Sequence, residues 1–212
     1  MKWMFVMMAV CGWAACNDRP KGTAETGTVP AGQTDSPSAS SAGKVSCSSY
    51  FDETAHDPST PALARAIYLR HDWDLSNDME ALALLDSLTA VNEVSRPFYF
   101  KVVTATYPRT DGYFSEGLGL AGKEYVAHNT REFIAYFDNK DCFTGDDLAT
   151  WADIVLLEFR MGEAEDTTAV DNYIQALRWN CRECTPAQKE QLRRFTDTLL
   201  YKWQTFLKAA GG

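Results

Sequence analysis

The stretch TGDDLATWADIVLLEFRMG (Thr144–Gly162) decides the fold class. Within it Leu148, Trp151, Ala152, Val155, Leu156 and Phe159 recur at intervals of three and four. That spacing gathers apolar side chains on one face of a 3.6-residue helix. A strand would scatter the same residues over two faces. Thr144 and Asp147 stand three apart ahead of the stripe, the spacing of a reciprocal N-terminal cap.

The same period continues on both sides. Thr60–Arg70 opens with Thr60 as cap and Pro61 at the first helical position. Ser76–Val91 carries Met79, Leu82, Leu84, Leu85, Leu88 and Val91 as a broad apolar face behind a Ser76 cap. Ser95–Tyr107 is rich in aromatic and β-branched residues that would suit a strand, but Ser95 and Pro97 form a helix start, so helix is expected. Thr110–Ala127 and Asn129–Phe137 follow, the second with Asn129 and Glu132 at capping-box spacing. Thr168–Trp179 would bury Val170, Tyr173, Ile174 and Leu177. Thr185–Ala210 has Thr185 as cap, Pro186 next, Gln188 three residues on, and a stripe of Leu192, Phe195, Leu199, Trp203 and Phe206. Short connections make successive helices antiparallel. The expected fold is all-α: a compact antiparallel multi-helix bundle, or short helical array, of about eight helices over residues 46–212.

Residues 17–45 differ in kind. Gly, Ser, Thr, Pro and Ala dominate, and almost nothing large and apolar occurs. Such a segment cannot bury enough surface to offset its ordering entropy, so a disordered tether is expected. As a flexible chain it reaches roughly 30 Å end to end. Before it, Lys2 and the apolar run Trp3–Ala15 have the charge and hydrophobicity of a secretory signal. The run is shorter than the about 20 residues of a spanning helix. The run ends on WAAC (Trp13–Cys16), with small residues at Ala14 and Ala15 directly before the cysteine.

This N-terminus resembles that of the bacterial lipoproteins. The resemblance implies cleavage after residue 15, acylation of Cys16, and a lipid-anchored place in the cell envelope, facing the periplasm or exterior. Cysteine parity agrees. Of six cysteines, loss of Cys11 with the signal leaves five, an odd number for an oxidising compartment. Lipidating Cys16 leaves Cys47, Cys142, Cys181 and Cys184. The alternative is an ordinary cleaved signal with Cys16 as a free thiol. Several acyl chains together anchor stably where one does not.

The chain has a formal net charge of −9, and removal of the signal takes away one lysine and no acid. Such acidity argues against nucleic acid, because phosphate binding needs clustered Lys and Arg. Adsorption to anionic lipid is disfavoured for the same reason. Acidity instead suits a basic protein partner, through electrostatic steering.

Three motifs bear on chemistry. GLGLAG (Gly117–Gly122) matches G-x-G-x-x-G, but Ser115 and Glu116 stand where a dinucleotide site needs a buried strand. A glycine-rich helix is expected there, each glycine costing about 0.8–1.0 kcal/mol relative to Ala, with close approach of a neighbouring helix as the offset. WNCRECTP (Trp179–Pro186) contains C-x-x-C ahead of a helix, yet a helix rather than a strand precedes it. DWDLSNDME (Asp72–Glu80) begins like a calcium loop, but Asn77 and Ala83 occupy the positions that require glycine and an acid. His56, His71 and His128 lack metal-ligand spacing, and no G-x-S-x-G supplies a nucleophile.

No catalytic, cofactor-binding or metal-binding residue is therefore assigned, and no cofactor is expected. The reading is an envelope protein anchored through Cys16 whose helical domain serves as a protein-interaction module. Two alternatives stand beside it: an enzyme whose groups, such as His71 and Asp72, converge only in three dimensions, and thiol–disulfide chemistry at Cys181 and Cys184. Four cysteines allow three connectivities. The expected one is Cys181–Cys184 with Cys47–Cys142, the second tying the tether's end to the domain. Peptide mapping without reductant should recover these two bridges; free thiols at Cys181 and Cys184 would favour the redox alternative.

Overall fold

Each segment read as helical forms a helix, because each carries an apolar stripe that a neighbour covers. The structure, a computed structural model, describes residues 47–71, 73–89, 94–138, 140–162 and 168–210. The signal, Cys16 and the tether lie outside the described residues. Among those described there are nine α-helices and no strand. They are α1 (Cys47–His56), α2 (Ala62–Tyr68), α3 (Asp78–Asp86), α4 (Arg96–Thr106), α5 (Gly112–His128), α6 (Thr130–Tyr136), α7 (Gly145–Gly162), α8 (Ala169–Asn180) and α9 (Pro186–Ala210). The class is all-α, as expected, with one helix more than the eight segments read from the pattern. The extra one is α1, whose inward face is only Phe51 and Ala55.

Side-chain partners fix the helix directions. Lys101 meets Asp147 and Trp151 meets Thr104, so α4 runs parallel to α7. Asp153 binds Lys202 and Arg160 lies over Phe206, so α9 runs the same way. Going along α5 from Gly119 to Gly122, the facing residues on α7 fall back from Glu158 to Trp151, so α5 is antiparallel to both. The Tyr173 hydroxyl donates to the Lys123 carbonyl and the Asn180 amide to that of Ala127, which sets α8 parallel to α5. The helices α7, α8 and α9 thus alternate in direction.

The α7 stripe is buried throughout, and Ile154 joins it. Trp151 lies at the centre, stacked on Phe100 with ring centroids 4.3 Å apart and planes within 2°. Its Nε1–H donates to Thr104 Oγ1 at 2.8 Å, and the Thr104 hydroxyl donates onward to the Phe100 carbonyl. An indole is buried here at no loss of hydrogen bonding.

The glycine run lies in the middle of α5, far from any strand-to-helix turn. A Cβ on Gly119 would stand 2.8 Å from the Glu158 backbone nitrogen and 2.9 Å from Leu157 Cβ. One on Gly122 would meet Ile154 Cγ2 at 2.5 Å. The two helices touch where these side chains are missing, which is the offset the sequence required.

Several helix ends differ from expectation. Thr144 and Asp147 do cap each other, as do Thr185 and Gln188. The N-cap of α3 is Asn77 rather than Ser76, because Ser76 is held in a local turn by Asp74. Thr60 is buried and donates to the Thr54 carbonyl instead of capping α2. Met79, placed in the apolar face by spacing, is 83% exposed, since α3 docks through Ala81, Leu84 and Leu85. Val91 lies outside the described residues.

Gly119→Ala should lower stability by about 1–3 kcal/mol, the cost of overpacking against a backbone that cannot yield. Gly117→Ala meets only side-chain tips, Leu82 Cδ2 at 2.6 Å and Leu85 Cδ1 at 3.5 Å, and should be near neutral because these can give way and helix propensity favours it. Thermal melts of the two variants test this; equal losses would reject the packing account.

Candidate functional site

The four downstream cysteines fall into two pairs at disulfide distance. Cys47 and Cys142 have Cα atoms 5.4 Å apart, and Cys181 and Cys184 are 4.9 Å apart. The first pair clasps the start of α1 to the connection between α6 and α7. The second closes the turn between α8 and α9, where the Cys184 amide also donates to the Cys181 carbonyl. Both sulfurs of that turn belong to buried residues, 1% and 7% exposed. A redox pair needs an accessible attacking thiolate, so this geometry favours a staple.

Glu132 is where the sequence was misread. Asn129, its expected capping partner, instead donates to the Tyr125 carbonyl and makes no side-chain cap. Glu132 pairs with Arg96 of α4, and the hydroxyls of Tyr136 and Tyr125 both donate to its Oε1. Three helices are joined at one carboxylate. With its oxygens taken by these donors, it acts as a tie rather than as a free base. Spacing along α6 could not reveal it, because Arg96 is 36 residues away.

The other chemistry-bearing residues stay apart. His71 is exposed just after α2, while its sequence neighbour Asp72 lies outside the described residues. Among the described residues no three His, Cys, Asp or Glu side chains converge on a metal-sized site. Two basic residues of α9 are engaged, Arg193 with Glu190 and Asp197, and Lys202 with Asp153, while its stripe of Leu192, Phe195, Leu199 and Trp203 is packed inward. No described helix is long and apolar enough to cross a membrane.

Two open grooves among the described residues have largely apolar walls. The larger, about 520 Å³, lies beside the Cys47–Cys142 pair under Tyr50, Pro97, Tyr136 and Phe143. It is a gap within the aromatic cluster of α1, α4 and α6, and Tyr136 ties it to Glu132. The other, about 390 Å³, lies between α3, α5 and α7 and is lined by Leu82, Tyr113, Leu120 and Met161, with Glu116 and Glu158 at its sides. Gly117 also lines it, and the tip of Leu82 packs against Gly117 where a Cβ would stand. Tyr113, Leu120 and Met161 are each about half exposed (55%, 48% and 48%), and Met79 lies one turn before Leu82. These large apolar side chains are grouped on a water-facing surface.

No protein-family model matches the chain, nor does any curated protein or solved structure.

Buried phenols give the domain a pH signature. Burial, aided by its bond to Asp52, raises Tyr68 from 10.0 to about 12. Burial likewise raises Tyr125, Tyr136 and Tyr173, the second helped by its bond to Glu132. Each ionises later in the folded chain than in the unfolded one. Their contribution is complete below the ordinary phenol value and is lost as pH climbs through the folded values. Stability should accordingly fall above about pH 10, with tyrosinate absorbance and loss of helical dichroism rising together. Independent titration of all nine tyrosines in a chain that stays helical would contradict this.

Proposed function

We propose that this is a lipid-anchored protein of the bacterial cell envelope whose helical domain binds another protein, one with a basic surface. The observation that carries the binding reading is the set of exposed apolar residues between α3, α5 and α7, bordered by acids on a chain of net charge −9. A surface of this kind gains by being covered, and its charge selects a cationic partner and speeds its approach. The anchor rests on the sequence from Trp3 to Cys16 and on the parity of the cysteines.

In this account residues 1–15 are removed, Cys16 carries the acyl chains, and residues 17–45 hold the domain away from the lipid. Bridges at Cys47–Cys142 and Cys181–Cys184 suit an oxidising space. The thiol–disulfide alternative has the C-x-x-C spacing in its favour, against the burial of both cysteines.

Cys16→Ser should move the protein from the membrane fraction to the soluble fraction without changing its helical dichroism. Tight membrane association of that variant would refute the anchor. Capture of a basic envelope protein by the full chain, lost as salt is raised, is the matching result for binding; capture insensitive to salt would refute the electrostatic part.

A further inference from the structure

We infer that the groove between α3, α5 and α7 receives an amphipathic helix of the partner, with its apolar face on Met161 and Leu120 and its Lys or Arg side chains on Glu116 and Glu158. This deepens the binding reading above and rests on it.

The geometry selects a helix. Tyr113, Gly117 and Leu120 stand on one face of α5 at intervals of four and three. From Tyr113 to Leu120 is seven residues, about 10 Å along the axis, the rise between anchors one heptad apart on an incoming helix. Leu82 of α3 forms one wall and Met161 of α7 the other. The tip of Leu82 packs against Gly117 where a Cβ would stand, which lays that wall close on α5 and leaves Leu120 and Met161 as the exposed apolar anchors. Among the described residues no sheet edge offers backbone pairing to an extended peptide.

The chemistry selects a basic one. Glu116 and Glu158 stand at the groove, and Asp78 and Glu80 flank Met79 on α3. The nearest cations on α5 and α7 are engaged with rings, Lys123 over Phe159 and Arg160 over Phe206. A second copy of this acidic chain would bring carboxylates against carboxylates. Methionine suits the role, since its unbranched, polarisable side chain adapts to the knobs of a docked helix.

The test uses the full chain and two synthetic helical peptides with the same leucine face, one with lysines on its polar face and one with glutamates. Fluorescence anisotropy should show the lysine peptide binding and the glutamate peptide not binding. Leu120→Ser combined with Met161→Ser leaves every charge in place and should weaken binding at least tenfold. Glu116→Lys combined with Glu158→Lys should abolish binding of the lysine peptide and admit the glutamate peptide. Trp179→Ser, which alters an exposed aromatic on α8, should change nothing.

Lysine-peptide affinity unaffected by the double serine variant would overturn the inference, as mere adsorption to an acidic surface. So would a dimer of the wild-type chain in sedimentation that the double serine variant dissolves. If wild type and that variant capture the same basic envelope protein equally well, the groove assignment fails while the binding reading survives. If neither peptide binds and no basic protein is captured, both fail.

Discussion

The backbone of α5 lies against the backbone of α7, and most of the remaining architecture depends on that approach. Gly119 and Gly122 permit it; any side chain there would overlap Glu158, Leu157 or Ile154. With the two helices this close, Trp151 is driven between α4, α5 and α6 and can stack on Phe100 while its nitrogen reaches Thr104. Dispersion over flat stacked surfaces and a satisfied indole then come from one placement. The glycines cost helix propensity locally, and the packing they allow returns more.

Around this centre the connections are of a second kind. Arg96, Glu132, Tyr125 and Tyr136 join α4, α5 and α6 through one carboxylate, and Arg131 with Asn180 joins the α5–α6 junction to the end of α8. Such polar ties add direction to a core whose apolar contacts have little. On the outer side α3 packs on α5, and a shallow channel lined by Leu82, Leu120 and Met161 runs beside Gly117. Different glycines serve the two surfaces of α5: Gly119 and Gly122 meet α7, and Gly117 meets Leu82 of α3.

Much of this was legible in the sequence, for physical reasons that also mark the limit. The α7, α8 and α9 stripes follow the helical period because each of these helices has one covered face, and their caps obey local spacing. Glycines at Gly119 and Gly122 announced a close neighbour but not which one. Glu132 was misread because a local cap and a long-range ion pair present the same residue at the same spacing, and only the position of Arg96 separates them. Met79 has core periodicity yet faces water, since nothing in α3 alone says how wide its covered face is. The α1 helix escaped because two buried residues make no pattern. The groove was invisible for a similar reason: its walls come from residues 82, 113, 120 and 161, which only the fold assembles.

The Cys47–Cys142 clasp has a mechanical consequence. Tension arriving along the chain from residue 46 would, without it, act on the end of α1 and peel that helix off one turn at a time, the weak direction for a helix held by two buried residues. With the sulfurs joined, the load passes straight across to residue 142 and enters the body between α6 and α7, where many contacts share it. A pull on the chain ahead of Cys47 would then leave α1 in place.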